Sequence, residues 1–181
     1  KCEMGLFDET YSPKTDSDLT QMIGSDEHRN LARASVTKSL VLLKNQDRFL
    51  PLKTDGHIHV TGSGSDNLDK QCGGWTISWQ GQSGDSTPGT TILDAIEATV
   101  GPTASVTYDE RASGDLRGDI GVVVVGEGPY AEGQGDDLLL TLDDRDVETI
   151  ATVCTEMPCV VVLVSGRPMI ITDLLPVTGA F

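Results

Sequence analysis

Residues 126 to 137 read GEGPYAEGQGDD. The stretch gathers Glu127, Glu132, Asp136 and Asp137 around a tyrosine and four glycines. Glycines let backbone approach a ligand closely. A carboxyl in a partly apolar loop, beside other carboxylates, has its pKa raised. A general acid working near neutral pH needs that property. The competing reading is a solvated acidic turn or a calcium loop. The D-x-[DN]-x-[DN]-G spacing of an EF-hand is missing, which counts against calcium.

A second unusual stretch is QCGGWTISWQGQSGD, residues 71 to 85. It holds both tryptophans of the chain, Trp75 and Trp79, among glycine, serine and glutamine. The segment has too little apolar company to build a core around them. Pyranose rings present a C–H face that packs on indole, and their hydroxyls hydrogen-bond to carboxylates. A tryptophan pair and a candidate acid on neighbouring loops therefore point to a saccharide, with the indoles as a stacking platform.

Composition narrows the partners. The 181 residues carry a formal net charge of −15. Phosphate-rich partners need cations, so neither nucleic acid nor an anionic membrane is expected. The acidity serves solvation and suits a neutral ligand. No run approaches the roughly 18 apolar residues of a membrane span, and Lys1 does not open a signal peptide. No cofactor is implied. Cys154 and Cys159 enclose TEMP; their spacing fits either a short disulfide or two free thiols. Zinc is disfavoured, because Cys2 and Cys72 are isolated and no C-x-x-C occurs.

Elements must position these loops. Residues 1–24 lack a sustained period and read as a tail or linker with a short helical piece. From Ser25 a helix is expected, capped by Ser25 or Asp26, with Leu31, Ala34, Val36, Leu40, Leu42 and Leu43 as its apolar positions. Pro51 then breaks the chain. Residues 57–65 read as a short strand entering a glycine loop. His57 and His59 share one face of that strand. They could form a metal pair, but no third ligand follows, so the pattern favours two surface histidines beside a turn. The GSGS that ends the stretch resembles a dinucleotide loop, yet position 67 is Asn67 where G-x-G-x-x-G requires glycine.

Residues 90–101 predict an amphipathic helix with a Thr cap, a buried stripe of Ile92, Ala95, Ile96 and Val100, and Gly101 at its end. SVTYDE is a strand candidate. Residues 119–128 form a β-branched apolar run, the signature of a buried parallel strand. Residues 141–157 predict a helix with an acidic first turn that suits the helix dipole. PCVVVLVSGRP is a second buried strand, and MIITDLLPV a further strand or short helix. Alternating strands and helices indicate an α/β layered domain with a mainly parallel sheet. Ligands gather at the carboxyl ends of such strands, where both polar loops emerge.

HRNLARASVTKSLVLLKN, NLDKQCGGWTISWQG, TTILDAI, VVVGEGPYAEGQGD and CVVVLVSGRP together resemble glycoside hydrolase family 3, in its β-glucosidase and β-glucan exohydrolase branch. The resemblance runs in order from about Met4 to the C-terminus. It implies a three-layer αβα sandwich around a six-stranded sheet, as the second domain of an enzyme whose preceding barrel holds the nucleophilic aspartate. Residues 1–24 would then be the barrel's tail and linker, and 25–181 a partial sandwich lacking its last part, leaving an exposed sheet edge. The P-Y-x-E-x-x-G-D stretch assigns the acid/base to Glu132. Branches with the acid/base in GEG would select Glu127 instead. Trp79 matches the aromatic that clamps the sugar beyond the scissile bond, with Trp75 supporting it or sharing the stacking. Cys154 and Cys159 match a short disulfide of the plant-type branch, which implies an oxidising, secreted, extracellular or periplasmic setting. The implied substrates are β-glucosides or gluco-oligosaccharides, and the implied partner is the protein's own barrel domain. Retaining hydrolysis needs two carboxyls about 5 Å apart, so the piece alone is expected to be inactive, its Trp loop mobile and its indoles solvent-exposed. The alternative is a non-catalytic carbohydrate-binding or interaction module.

Overall fold

The computed structural model describes residues 1–8 and 17–181; part of the expected tail and linker lies outside them. The chain divides into two compact units, Lys1–Val41 and Leu42–Phe181. Among its described residues the first holds a 3-10 turn at Cys2–Met4 and the helices α1 (Ser17–Met22) and α2 (Asp26–Ser39). Ser25 caps α2 by accepting from the His28 N–H. The helix ends earlier than its apolar pattern suggests, because Leu40 turns to extended geometry. Leu31, Val36, Leu40, Leu42 and Leu43 are exposed, and no residue of α2 is buried. These apolar positions of the expected helix are therefore open to solvent.

The second unit is built on four parallel strands: β1 (Gly56–Thr61), β2 (Ala104–Asp109), β3 (Ile120–Gly126) and β4 (Cys159–Val164). Their order is β2-β1-β3-β4. Three further helices are α3 (Leu68–Cys72), α4 (Ile92–Thr99) and α5 (Asp144–Glu156). The crossover through α4 runs to one side of β1, and the crossover through α5 runs to the other side of β3. Crossovers in parallel sheets share one hand, so opposite directions put the two helices on opposite faces. The result is helix, sheet, helix. The sequence pattern predicted this architecture, and four of the six strands that the resemblance implies are present among the described residues.

Alternation along β3 explains the two cores. Val123 and Val125 face α5, packing with Ile150, Val153 and Met157. Val122 and Val124 face the other way, with Ile58, Val60 and Leu93. Burying each such side chain contributes about 1.5–3 kcal/mol, and a strand buried on both faces needs apolar residues at every position. On α4 the packed residues are Ile92, Leu93, Ile96 and Val100. Ala95, expected in the stripe, is exposed, and Leu93 takes the buried position. The Thr91–Asp94 capping box starts this helix.

The segment MIITDLLPV forms turns and a 3-10 turn at Leu175–Val177, not a strand. The expected open edge of β4 is partly covered. Val161 N–H donates to the Ala180 carbonyl, and Gly179 N–H to that of Cys159. Phe181 in turn exchanges backbone hydrogen bonds with Lys44, and the Lys44 ammonium donates to the Leu175 and Thr178 carbonyls.

The histidines correct the expectation of two surface side chains. His59 is 2% exposed, and the rings of His57 and His59 each lie 3.0 Å from the Thr107 hydroxyl on β2. The strand sits inside the sheet, so one histidine face is covered. No metal-binding cluster occurs among the described residues. The His59 Nε2 is buried without a partner. Burial holds the His59 pKa below its ordinary 6.5, with Asp109 opposing and His57 reinforcing the shift. The folded state thus prefers the neutral ring, whereas the unfolded chain takes up a proton near 6.5. The stabilisation is complete above that pH and is lost as pH falls through the window below it. Denaturant titrations at pH 7.5 and 5.5 should show a larger stability drop for the wild type than for His59→Gln.

Cys154 and Cys159 form a disulfide that joins the end of α5 to the start of β4. It closes a short loop, so chain entropy limits its contribution to about 2 kcal/mol. Reduction, or Cys154→Ser with Cys159→Ala, should lower the unfolding free energy by about that amount, read by denaturant titration with and without dithiothreitol.

Candidate functional site

In the strand order β2-β1-β3-β4, connections leave β1 and β3 in opposite directions. The crevice between their carboxyl ends is the topological switch point, where open α/β sheets bind ligands. The loops after β1 and β3 meet there, and the segment after β4 joins them.

The β3 loop is anchored at its root by Asp146, in the first turn of α5. Its carboxylate accepts from the Gly126 N–H at 3.0 Å and from the Ser63 hydroxyl at 3.0 and 3.2 Å. Asp146 is buried, and burial raises its pKa, while the Gly126 and Ser63 hydrogen bonds and nearby Lys70 pull it back. The Lys70 ammonium donates to Ser63 Oγ at 2.6 Å and to the Gly126 carbonyl at 3.1 Å. The ends of β1 and β3 are thus tied through one polar cluster.

Glu127 follows directly and is fully engaged. Its Oε1 accepts from Arg167 Nε at 2.8 Å and Nη2 at 2.5 Å. Its Oε2 accepts from the Ser165 hydroxyl at 2.6 Å and the Tyr130 hydroxyl at 3.2 Å. Its side chain is 13% exposed. Arg167 also donates to the Gly135 carbonyl and lies 4.7 Å from the Tyr130 ring centroid, a cation–π distance. The Arg167 pKa is raised, chiefly by the hydrogen bonds to Glu127.

Glu132 is the opposite case. It opens the 3-10 turn Glu132–Gly135 with φ 53°, in the left-handed region that side chains rarely adopt. It is exposed, and its carboxylate has no hydrogen-bond or ion-pair partner among the described residues. Asp136 and Asp137 are also exposed, and Asp137 accepts from the Leu139 N–H. Two adjoining depressions flank residues 127–130. One, of about 430 Å³, is lined by Glu127, Tyr130, Asp136, Asp137 and Arg167. The other, of about 250 Å³, is lined by Lys70, Cys72, Gly74, Tyr130 and Ser165.

The Trp loop springs from α3, a helix that the sequence pattern did not predict. Asn67, at the position where a dinucleotide loop would need glycine, is its N-cap: Oδ1 accepts from the Lys70 N–H. The same oxygen accepts from Gly84 N–H, and buried Asp69 accepts from the Ser86 N–H and hydroxyl. The base of the loop is closed by these bonds. Trp75 is 63% exposed and Trp79 49%, which agrees with the expected solvent exposure. Their ring centroids are 6.3 Å apart with planes at 50°. The loop rests directly on the β3 loop. A Cβ on Gly74 would sit 1.9 Å from the Tyr130 carbonyl oxygen, and one on Gly81 2.7 Å from Pro129. Only glycine permits that approach.

Arg167, Ser165, Gln80, Lys70 and Asp146 escaped the sequence reading. One signal was available for two of them: SGRP follows a strand at its carboxyl end, where polar residues line ligand crevices.

Comparison with known proteins now bears on this arrangement. Residues 40–180 match the family model described as the glycosyl hydrolase family 3 C-terminal domain. The chain is 34% identical to a lysosomal β-glucosidase of Dictyostelium discoideum over 94% of its length, and 28% identical to a periplasmic β-glucosidase of Salmonella typhimurium over 93%. Among solved structures, it superposes on the exo-1,3/1,4-β-glucanase of a Pseudoalteromonas species with a TM-score of 0.84 at 35% identity, covering 96% of this chain. It superposes on a β-glucosidase of Listeria innocua with a TM-score of 0.79 at 26% identity over 99%. The chain spans 23% and 26% of the two relatives' lengths, and 23% and 26% of those two solved chains. With the parallel sheet, the switch-point crevice and this match in agreement, the chain belongs to glycosyl hydrolase family 3, in the part corresponding to its C-terminal domain.

Proposed function

We propose that this chain supplies the general acid/base and an aromatic sugar clamp to a retaining β-glucosidase or exo-β-glucanase acting on terminal β-D-glucosyl residues. Glu132 is the acid/base, and Trp79, backed by Trp75, stacks on the sugar beyond the scissile bond. The observation that carries this reading is the contrast between the two glutamates. Glu127 has both oxygens occupied by Arg167, Ser165 and Tyr130, which hold its carboxylate inside the loop and away from an incoming ligand. Glu132 is exposed at the crest of the loop. The nucleophile is the aspartate of a barrel domain in the same polypeptide, the family's implied partner. In the first step that carboxylate attacks the anomeric carbon, the glycosidic C–O bond breaks, and the Glu132 proton passes to the departing oxygen. In the second step Glu132 takes a proton from water, which displaces the enzyme carboxylate.

The disulfide supports a secreted, extracellular or periplasmic setting, in keeping with a relative named as periplasmic. No helix among the described residues is long and apolar enough to cross a membrane.

In the full-length protein, Glu132→Gln should lower kcat/KM on a β-glucoside with a poor leaving group by about 10²–10⁴-fold, with azide restoring turnover of Glu132→Ala as a glycosyl azide. Equal loss in Glu127→Gln, with azide rescue there and none at Glu132, would reassign the acid/base.

The exposed indole pair also fits a sugar-binding module without turnover. The 181 residues alone are expected neither to hydrolyse an aryl β-glucoside nor to bind gluco-oligosaccharides tightly, because one wall of a cleft buries little of a sugar. Titration with laminari- and cello-oligosaccharides, followed by Trp fluorescence, checks this. Saturable quenching by the chain alone would favour the module.

A further inference from the structure

Residues 71–81 and 126–137 come from different strands, yet one side chain joins them next to the proposed acid. The Ala131 N–H donates to Gln80 Oε1 at 2.9 Å, and Gln80 Nε2 donates to the Ala131 carbonyl at 3.3 Å. A side-chain amide has one acceptor oxygen and a donor nitrogen, and here both ends are used on one peptide residue. Ala131 is 4% exposed, so both backbone groups would lack water if the amide were removed. Ala131 is also the N-cap position of the turn that Glu132 opens, and no side chain of its own caps that turn. Gln80 is the residue immediately after Trp79. The same amide therefore fixes a point one residue from the acid and one residue from the sugar-stacking indole.

We propose that Gln80 is a positioning residue that locks Glu132 and Trp79 into a single rigid jaw, so that a leaving group stacked on the indole is held where the Glu132 proton can reach it. The proposal rests on the assignment of Glu132 as acid/base. Glu132 occupies a left-handed conformation (φ 53°) that the backbone does not favour. Surrounding bonds must hold it there, and Gln80 grips the residue immediately before it. Gly74 lets the two loops approach closely at Tyr130 but does not set the rotation of the 131–132 peptide. The two-bond grip does.

Loss of positioning has a signature that loss of folding lacks. An acid displaced by about 1 Å costs on the order of 10²-fold where proton donation is required. A leaving group that departs as a stable anion needs no proton. In the full-length protein, kcat/KM should be measured for a 2,4-dinitrophenyl β-glucoside and for an alkyl β-glucoside or gluco-oligosaccharide. Gln80→Ala is expected to lose about 100-fold on the poor leaving group and at least about tenfold less on the activated one, which loses stacking on Trp79 but needs no acid for its departure. Gln80→Glu, which keeps an oxygen for the Ala131 N–H, should recover part of the loss. The activated substrate doubles as the folding control. A uniform loss on both substrates, or no loss on either, overturns the proposal. Glu132→Ala run in parallel separates the two claims. If it shows no leaving-group dependence, the acid assignment itself falls; if it shows the dependence and Gln80→Ala does not, only the positioning role falls.

Discussion

The guanidinium of Arg167 binds Glu127, stacks near Tyr130 and holds the Gly135 carbonyl, all within one glycine-rich loop. A loop with four glycines in twelve residues has a large conformational entropy to lose. One cation that reaches three separated points on the loop supplies the order that its sequence lacks. The pair is mostly shielded from water, with 23% and 13% of the two side chains exposed. Removing one partner of such a pair leaves the other charge poorly solvated, a penalty that the residual exposure here reduces. Glu127 is thereby committed to structure, and the crest at Glu132 is left to project.

The sheet explains why this pair forms at all. Parallel strands deliver their carboxyl ends to one side, so the residues after β3 and after β4 become neighbours although 40 positions separate Glu127 from Arg167. The same geometry brings the loop after β1 against the loop after β3, through Ser63, Lys70 and Asp146 at the base and Gln80 near the crest. Apolar residues occupy both faces of β3, and the polar cluster begins where the strand ends at Gly126. Rigid layers below and hydrogen-bonded loops above divide the work: the valine core fixes strand ends, and the polar contacts set loop shape.

Much of this was legible in the chain itself. Val122 to Val125 read as a strand buried on both faces, and the Thr cap before α4 and the acidic turn opening α5 marked helix starts. Other features were not. The two histidines alternate as surface residues would, yet β1 lies inside the sheet with β2 beside it, and His59 is buried. Ala95 and Leu93 exchange roles because the packed stripe of α4 is rotated relative to the pattern. The α3 helix, Leu68–Cys72, is too short to show a period, and its cap at Asn67 was hidden beside a glycine-serine run.

Local chemistry, written in neighbouring residues, was decided by the sequence: the parallel α/β layering, the acidic glycine loop, the indole pair, and the family to which these motifs point. Tertiary structure alone decided which glutamate is free. Glu127 and Glu132 sit in one loop, and only the P-Y-x-E-x-x-G-D stretch of the resemblance favours Glu132; composition and charge do not separate them. The distinction depends on Arg167 and Ser165 arriving from another strand and on Gln80 arriving from a third. Long-range pairing of that kind is set by strand order and register, which the one-dimensional pattern of a chain does not encode.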